Sequence, residues 1–273
     1  MINTTSLPAA VSAHAKHNGS MSAEPSVVFI HGMRTSSAIW RNQADFLGAH
    51  GVDSIAIDLP GHGVRSGERF SMPRAFEVVG EAIEALPADR PVALCGLSLG
   101  GYTALAFTAV TPGRVAGVVA AGCSSDPKGK PVGFFCDVTA AAVAGARRGR
   151  AIARAAHDGW LAGLTGRSTA PGGGGLPDAG FRPSWDVVTD DLTYLAGRSS
   201  FANIAAIDAP VWLVNGSHDP LRLEERRALA AAREGALVVV PGAGHDVNTD
   251  APDAFNRVLS RALRDFARQQ PAA

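Results

Sequence analysis

Residues 92–110 read VALCGLSLGGYTALAFTAV. The opening VALCG is a short, continuously apolar run, the pattern of a strand buried on both faces of a parallel sheet. The remainder predicts a helix over 99–111. Between the two, Gly96-Leu97-Ser98-Leu99-Gly100 sets a serine at a strand-to-helix turn with a glycine two residues to either side.

Working outward, the same unit recurs. Further strands are predicted at 27–32 (VVFIHG), 54–58 (SIAID), 115–122 (VAGVVAAG), 211–216 (VWLVNG) and 237–242 (LVVVPG), with helices at 36–50, 73–86, 222–234 and 252–269. Alternation of buried strands with helices implies an α/β fold built on a doubly wound, mostly parallel sheet. It fails between 127 and 205, where an Ala/Arg-rich helical stretch runs into a Gly/Pro-rich loop at 170–177. This segment reads as a mostly helical insertion within one domain spanning 1–273. The glycine run in that loop lacks the Gly-Lys-Ser/Thr ending of a phosphate-binding loop.

Composition narrows the function. The 273 residues carry 25 Lys+Arg against 25 Asp+Glu, so the chain lacks the basic footprint of a nucleic-acid binder. With 46% apolar and 18% charged residues, it can bury a large core. Cys95, Cys123 and Cys136 have neither metal-type spacing nor an even count, and read as buried thiols of a reducing compartment. Residues 1–25 contain no signal-type apolar stretch and are read as an N-terminal segment outside the ordered core. No run is long enough to span a bilayer. The expectation is a cytoplasmic protein without membrane, nucleic-acid or metal partners.

The turn at Ser98 has the context of a nucleophile elbow, a sharp and strained turn that lifts a serine hydroxyl above the sheet. Such a hydroxyl needs a base to take its proton, and the base needs an acid to hold its tautomer. His245, in PGAGHDVNTDAP, follows the last predicted strand. Asp219, in VNGSHDP, follows the strand before it. All three residues fall at the C-terminal ends of strands, where open parallel sheets place their sites. Alternatives are His218 as the base and Asp126, after the strand at 115–122, as the acid. His31 and His62 read as turn-holding residues.

Taken together, His31-Gly32, Asp58-Leu59-Pro60-Gly61-His62-Gly63, the elbow, and the Asp219 and His245 loops resemble the α/β-hydrolase superfamily in their order, over about residues 26–268. The resemblance implies Ser98 as nucleophile, His245 as base and Asp219 as orienting acid, with the backbone N–H groups of Met33 and Leu99 as oxyanion donors. It also implies that 127–205 is a helical cap. Arg34, Phe134, Phe135, Trp160 and Trp185 are then candidate substrate contacts, although each also has an ordinary packing or surface reading. The expected activity is cofactor-independent hydrolysis of a small or medium carboxylic ester. The same triad also serves lactones, thioesters and carbon–carbon bonds, and the fold serves as a ligand-binding receptor.

Overall fold

The computed structural model describes residues 24–111, 113–130 and 185–269. Six strands form one sheet: β1 (Ser26–Ile30), β2 (Ser54–Ile57), β3 (Val92–Leu97), β4 (Val115–Ala121), β5 (Val211–Gly216) and β6 (Gly235–Val240). Their order is β2-β1-β3-β4-β5-β6. Every pairing between them is parallel, as the apolar runs predict. The α-helices of the described residues are α1 (Arg41–Ala49), α2 (Met72–Ala85), α3 (Leu99–Val110), α4 (Trp185–Leu195), α5 (Ser200–Ala206), α6 (Glu225–Ala231), α7 (Val247–Asp250) and α8 (Pro252–Gln269), with short tight helical turns at Ser37–Trp40, Gly63–Arg65 and Arg222–Glu224.

Alternate residues of each strand supply two cores. Val28, Ile30, Leu94, Val118 and Leu213 meet α2, α3, α5 and α6 on one face. Val27, Phe29, Cys95, Val119 and Val214 meet α1 and α8 on the other. Helix α8 has the required spacing: Phe255, Leu259, Ala262, Leu263 and Phe266 lie along one stripe and are 0% exposed. Each large apolar side chain buried in this way contributes roughly 1.5–3 kcal/mol. On the same face Phe29 stacks on Trp40, with ring centroids 4.9 Å apart.

The topology itself selects the site. The chain enters the sheet at β1, steps to β2 on one side, and then returns to β3 on the other, so β1 and β3 are adjacent with departing connections on opposite sides. At such a reversal a crevice opens beyond the strand C-termini. The loops after β1 and β3, which carry Met33 and Ser98, flank it.

Of the expected cap, α4 and α5 are described, and α5 packs on α3. Phe134, Phe135, Trp160 and Cys136 lie outside the described residues, as do residues 1–23. Trp185 is the first residue of α4. Among the described residues, no helix is long and apolar enough to cross a membrane.

Candidate active site

Between Val92 and Leu105 every residue is buried except Ser98, which is half-exposed. Its backbone is held at φ 53, ψ −115, a conformation that L-residues avoid unless the surroundings enforce it. Two close approaches enforce it. A Cβ on Gly96 would stand 2.3 Å from the carbonyl carbon and oxygen of Gly100, and one on Gly100 would stand 2.1 Å from the carbonyl oxygen of Ile30. Glycine at both positions lets α3 start directly against β1 and β3. Ser98 occupies the N-cap position of α3, yet its hydroxyl makes no capping bond. The side chain is therefore not spent on closing the helix.

The N–H of Ser98 donates to the carbonyl of Ala121, 2.7 Å away. The next residue, Gly122, lies at φ 61, and a Cβ there would stand 3.0 Å from Cε1 and 3.1 Å from Nδ1 of His245. The end of β4 thus carries the serine turn on one side and seats the imidazole on the other.

Nδ1 of His245 lies 3.1 Å from Oδ1 of Asp219. A carboxylate only accepts, so Nδ1 carries the proton and Nε2 is left as the basic nitrogen. Asp219 has a fully buried side chain against 12% exposure for His245. Its Oδ1 also accepts the N–H of Leu221 at 2.8 Å, which fixes the carboxyl plane. Burial disfavours the imidazolium. The hydrogen bond and charge of Asp219, with the charges of Asp246 and Asp250, act against burial and raise His245 above its ordinary 6.5. The His245 loop is itself tied: Gly244 N–H donates to Asp250 Oδ2 at 2.9 Å.

The alternatives fall elsewhere. His218 is exposed. Asp126 accepts from Ser199 Oγ and from Ser200 N–H, both at 2.9 Å, and so anchors the start of α5. Ser124 is buried against Asn215, and Ser217 Oγ accepts the N–H of Gly242. Burial pushes the Cys123 thiol up, away from the reactive thiolate form.

Leu99 opens α3, so its N–H is among the first-turn donors that have no partner within the helix. Opposite it, a Cβ on Gly32 would stand 3.5 Å from Ser98 Cβ, which places the Gly32–Met33 turn beside the serine. Met33 packs on Val188, Leu192 and Leu221. Arg34 is half-buried, at φ 62. His31 bonds the carbonyl of Gly32 through Nδ1 and accepts the N–H of Leu59 through Nε2. His62 bonds the carbonyl of Pro60. Both hold turns, as the sequence suggests.

Sequence reasoning passed over Gly122 and Asp250. Gly122 had a signal, a glycine closing a buried strand; Asp250 had none, because its partner is a backbone N–H six residues earlier, a contact that depends on how the His245 loop folds back. Among the described residues, no group of three or more His, Cys, Asp or Glu side chains is placed to hold a metal ion.

A family model described as the alpha/beta hydrolase family matches residues 27–258. Protein ABHD8 of Bos taurus is 36% identical over 64 residues, covering 23% of this chain and only 15% of its own length. The pimeloyl-[acyl-carrier protein] methyl ester esterase of Nitrosospira multiformis is 30% identical over 107 residues, 37% of this chain and 39% of that protein. Among solved structures, a thermophilic esterase from Thermogutta terrifontis superposes with a TM-score of 0.63 at 20% identity, over 89% of this chain and 90% of that one. At that identity the likeness speaks for the fold alone.

Proposed function

The chain belongs to the alpha/beta hydrolase family, and from that premise we propose that it is a cofactor-independent serine hydrolase acting on a small or medium carboxylic ester. The observation that carries this reading is the buried Asp219–His245 pair, 3.1 Å apart, on loops that converge on a strained, half-exposed Ser98.

Ser98 Oγ attacks the ester carbonyl while Nε2 of His245 takes the hydroxyl proton. Asp219 holds the imidazole in the tautomer that leaves Nε2 free and stabilises the imidazolium once it forms. The oxyanion accepts hydrogen bonds from the N–H groups of Leu99 and Met33, donors that are in place before charge develops. The tetrahedral adduct collapses, the alcohol leaves with the proton from His245, and the acyl group stays on Ser98. Water, deprotonated by the same imidazole, then releases the acid and restores the hydroxyl. On a lactone the same steps yield one ring-opened hydroxy acid.

A fluorophosphonate probe followed by peptide mass spectrometry tests the assignment. Stoichiometric label on Ser98 is expected; label on Ser124 or Ser217, or none on folded protein, rejects it. Helix α4, which packs on Met33, is in this reading the return limb of a cap spanning 127–205.

A further inference from the structure

Helix α4 carries a carboxyl group with nothing to satisfy it. Both oxygens of Asp191 are buried without a hydrogen-bond partner. The side chain is 0% exposed and faces an equally inaccessible His62, with Oδ2 3.6 Å from Nε2. The contact ties α4 to the loop after β2, and apolar packing reinforces it. Val187 lies against Gly61, and Val188 and Leu192 pack with Met33 and Leu221.

The ring of His62 has defined roles. Its Nδ1 lies 3.0 Å from the carbonyl of Pro60, which only accepts, so Nδ1 carries the proton. Nε2 is then an acceptor, and it receives the backbone N–H of Arg34 at 3.4 Å. Arg34 directly follows Met33. A proton added at Nε2 would remove that acceptor. Conversely, ionising Asp191 would bury a carboxylate with no donor facing it. Moving one proton from Asp191 to Nε2 would give an ion pair of the same proton count but would remove the acceptor of the Arg34 N–H, so the arrangement that keeps this contact is a neutral ring with a protonated carboxyl beside it.

The surrounding charges do not change this arrangement. His31 faces His62, with ring centroids 4.9 Å apart. Asp58, on the same side, is occupied by the N–H groups of Ser37 and Val64. Beside Asp191 stands Asp190, paired with Arg69. Burial, helped by the charge of Asp190, pushes Asp191 up to about 8. Burial holds His62 below its ordinary range against the opposing pull of Pro60 and Asp58.

We propose that Asp191 is a positioning residue for the oxyanion loop: its protonated carboxyl pins α4 to His62, His62 holds the N–H of Arg34, and the adjoining Met33 N–H is thereby kept beside Ser98. Loss of the proton to solvent leaves a buried carboxylate that is solvated only if α4 moves, and the Met33 loop moves with it. The proposal rests on the serine-hydrolase reading above.

The test follows the second-order rate of fluorophosphonate labelling at Ser98 from about pH 5.5 to 9.5 in wild type, Asp191→Asn and Asp191→Leu, with folding verified by circular dichroism. Wild type should rise through the His245 ionisation and then fall about tenfold per pH unit above about 8. Asp191→Asn, neutral at every pH and still a donor, should rise and stay level. Asp191→Leu should label at least about tenfold more slowly than Asp191→Asn at neutral pH.

Thermal unfolding of wild type against Asp191→Asn gives a second readout that needs no catalysis. The carboxyl is raised in the folded state, so wild type should lose stability relative to the variant from about pH 4 to 8, and the gap should then level off. Label on Ser98 with the alkaline fall retained in Asp191→Asn, or a stability gap independent of pH, overturns the positioning role and leaves the hydrolase reading intact. No label on any serine overturns the hydrolase reading and the role with it.

Discussion

The backbone of Gly122 forms the seat on which the His245 imidazole rests: a Cβ at that position would stand 3.0 Å from Cε1 and 3.1 Å from Nδ1 of the ring. Gly122 also sits at φ 61, where an alanine is strained by roughly 1–2 kcal/mol. Gly122→Ala should therefore act twice. We expect kcat to fall by about tenfold or more as the ring is pushed off its line to Ser98. We also expect Tm to drop by a few degrees. Kinetics on an activated ester, with a melting curve on the same sample, decide this; an unchanged kcat would mean that the ring does not depend on its seat.

In the proposed mechanism the neutral form of His245 takes the proton, so the acid limb of kcat/KM should rise with pH through one ionisation, below the fall that Asp191 imposes above about 8. That ionisation should lie above the ordinary 6.5, because the pairing with Asp219 raises the imidazole. His245→Ala should cost at least about 10³-fold in kcat. His218→Ala should cost little, since that side chain is exposed. A pH–rate profile with its midpoint below 6.5 would contradict the ring's pairing with Asp219.

Asp219 and Asp126 should separate by function and by stability. Asp219→Asn offers an amide where the ring needs an acceptor, and should lower kcat by about 10⁴-fold. Asp126→Asn should cost less than about tenfold in kcat. It should lower stability by about 1–2 kcal/mol, because Asp126 accepts from both Ser199 and Ser200 at the start of α5. Denaturant midpoints and steady-state kinetics on both variants test the division; a crippled Asp126→Asn enzyme would refute it.

Phe266 tests the opposite end of the molecule. It is fully buried in the core formed by α8 and the sheet, so Phe266→Ala should cost about 3–5 kcal/mol of stability. Well below the lowered Tm, kcat/KM should stay within about twofold of wild type. A large kinetic loss in folded protein would show that the α8 core also sets the geometry of the site.

Much of the scaffold is legible along the chain because its causes are local. Continuous apolar runs forecast strands buried on both faces. The spacing of Phe255, Leu259 and Phe266 forecasts a helix with one buried stripe, and glycines around Ser98 forecast a tight turn. The ends differ slightly: α6 closes at Ala231 and is entered through a short tight helical turn at Arg222–Glu224, whereas the pattern alone suggests a helix over 222–234. Helix ends depend on capping contacts, which periodicity does not encode.

The sequence by itself determined which residues follow strands, and so placed Ser98, Asp219 and His245 in loops at one edge of a parallel sheet. Only the tertiary structure decided what those loops meet. Strand order set the Met33 turn beside Ser98, and the register of β5 against β6 let Asp219, rather than Asp126, reach His245. The close seat at Gly122 and the buried apposition of Asp191 to His62 arise the same way. The physical reason is one of range. Backbone sterics and apolar periodicity act within a few residues and leave a pattern in the chain, whereas hydrogen-bond partners and buried charges join residues far apart in sequence, where packing alone brings them together.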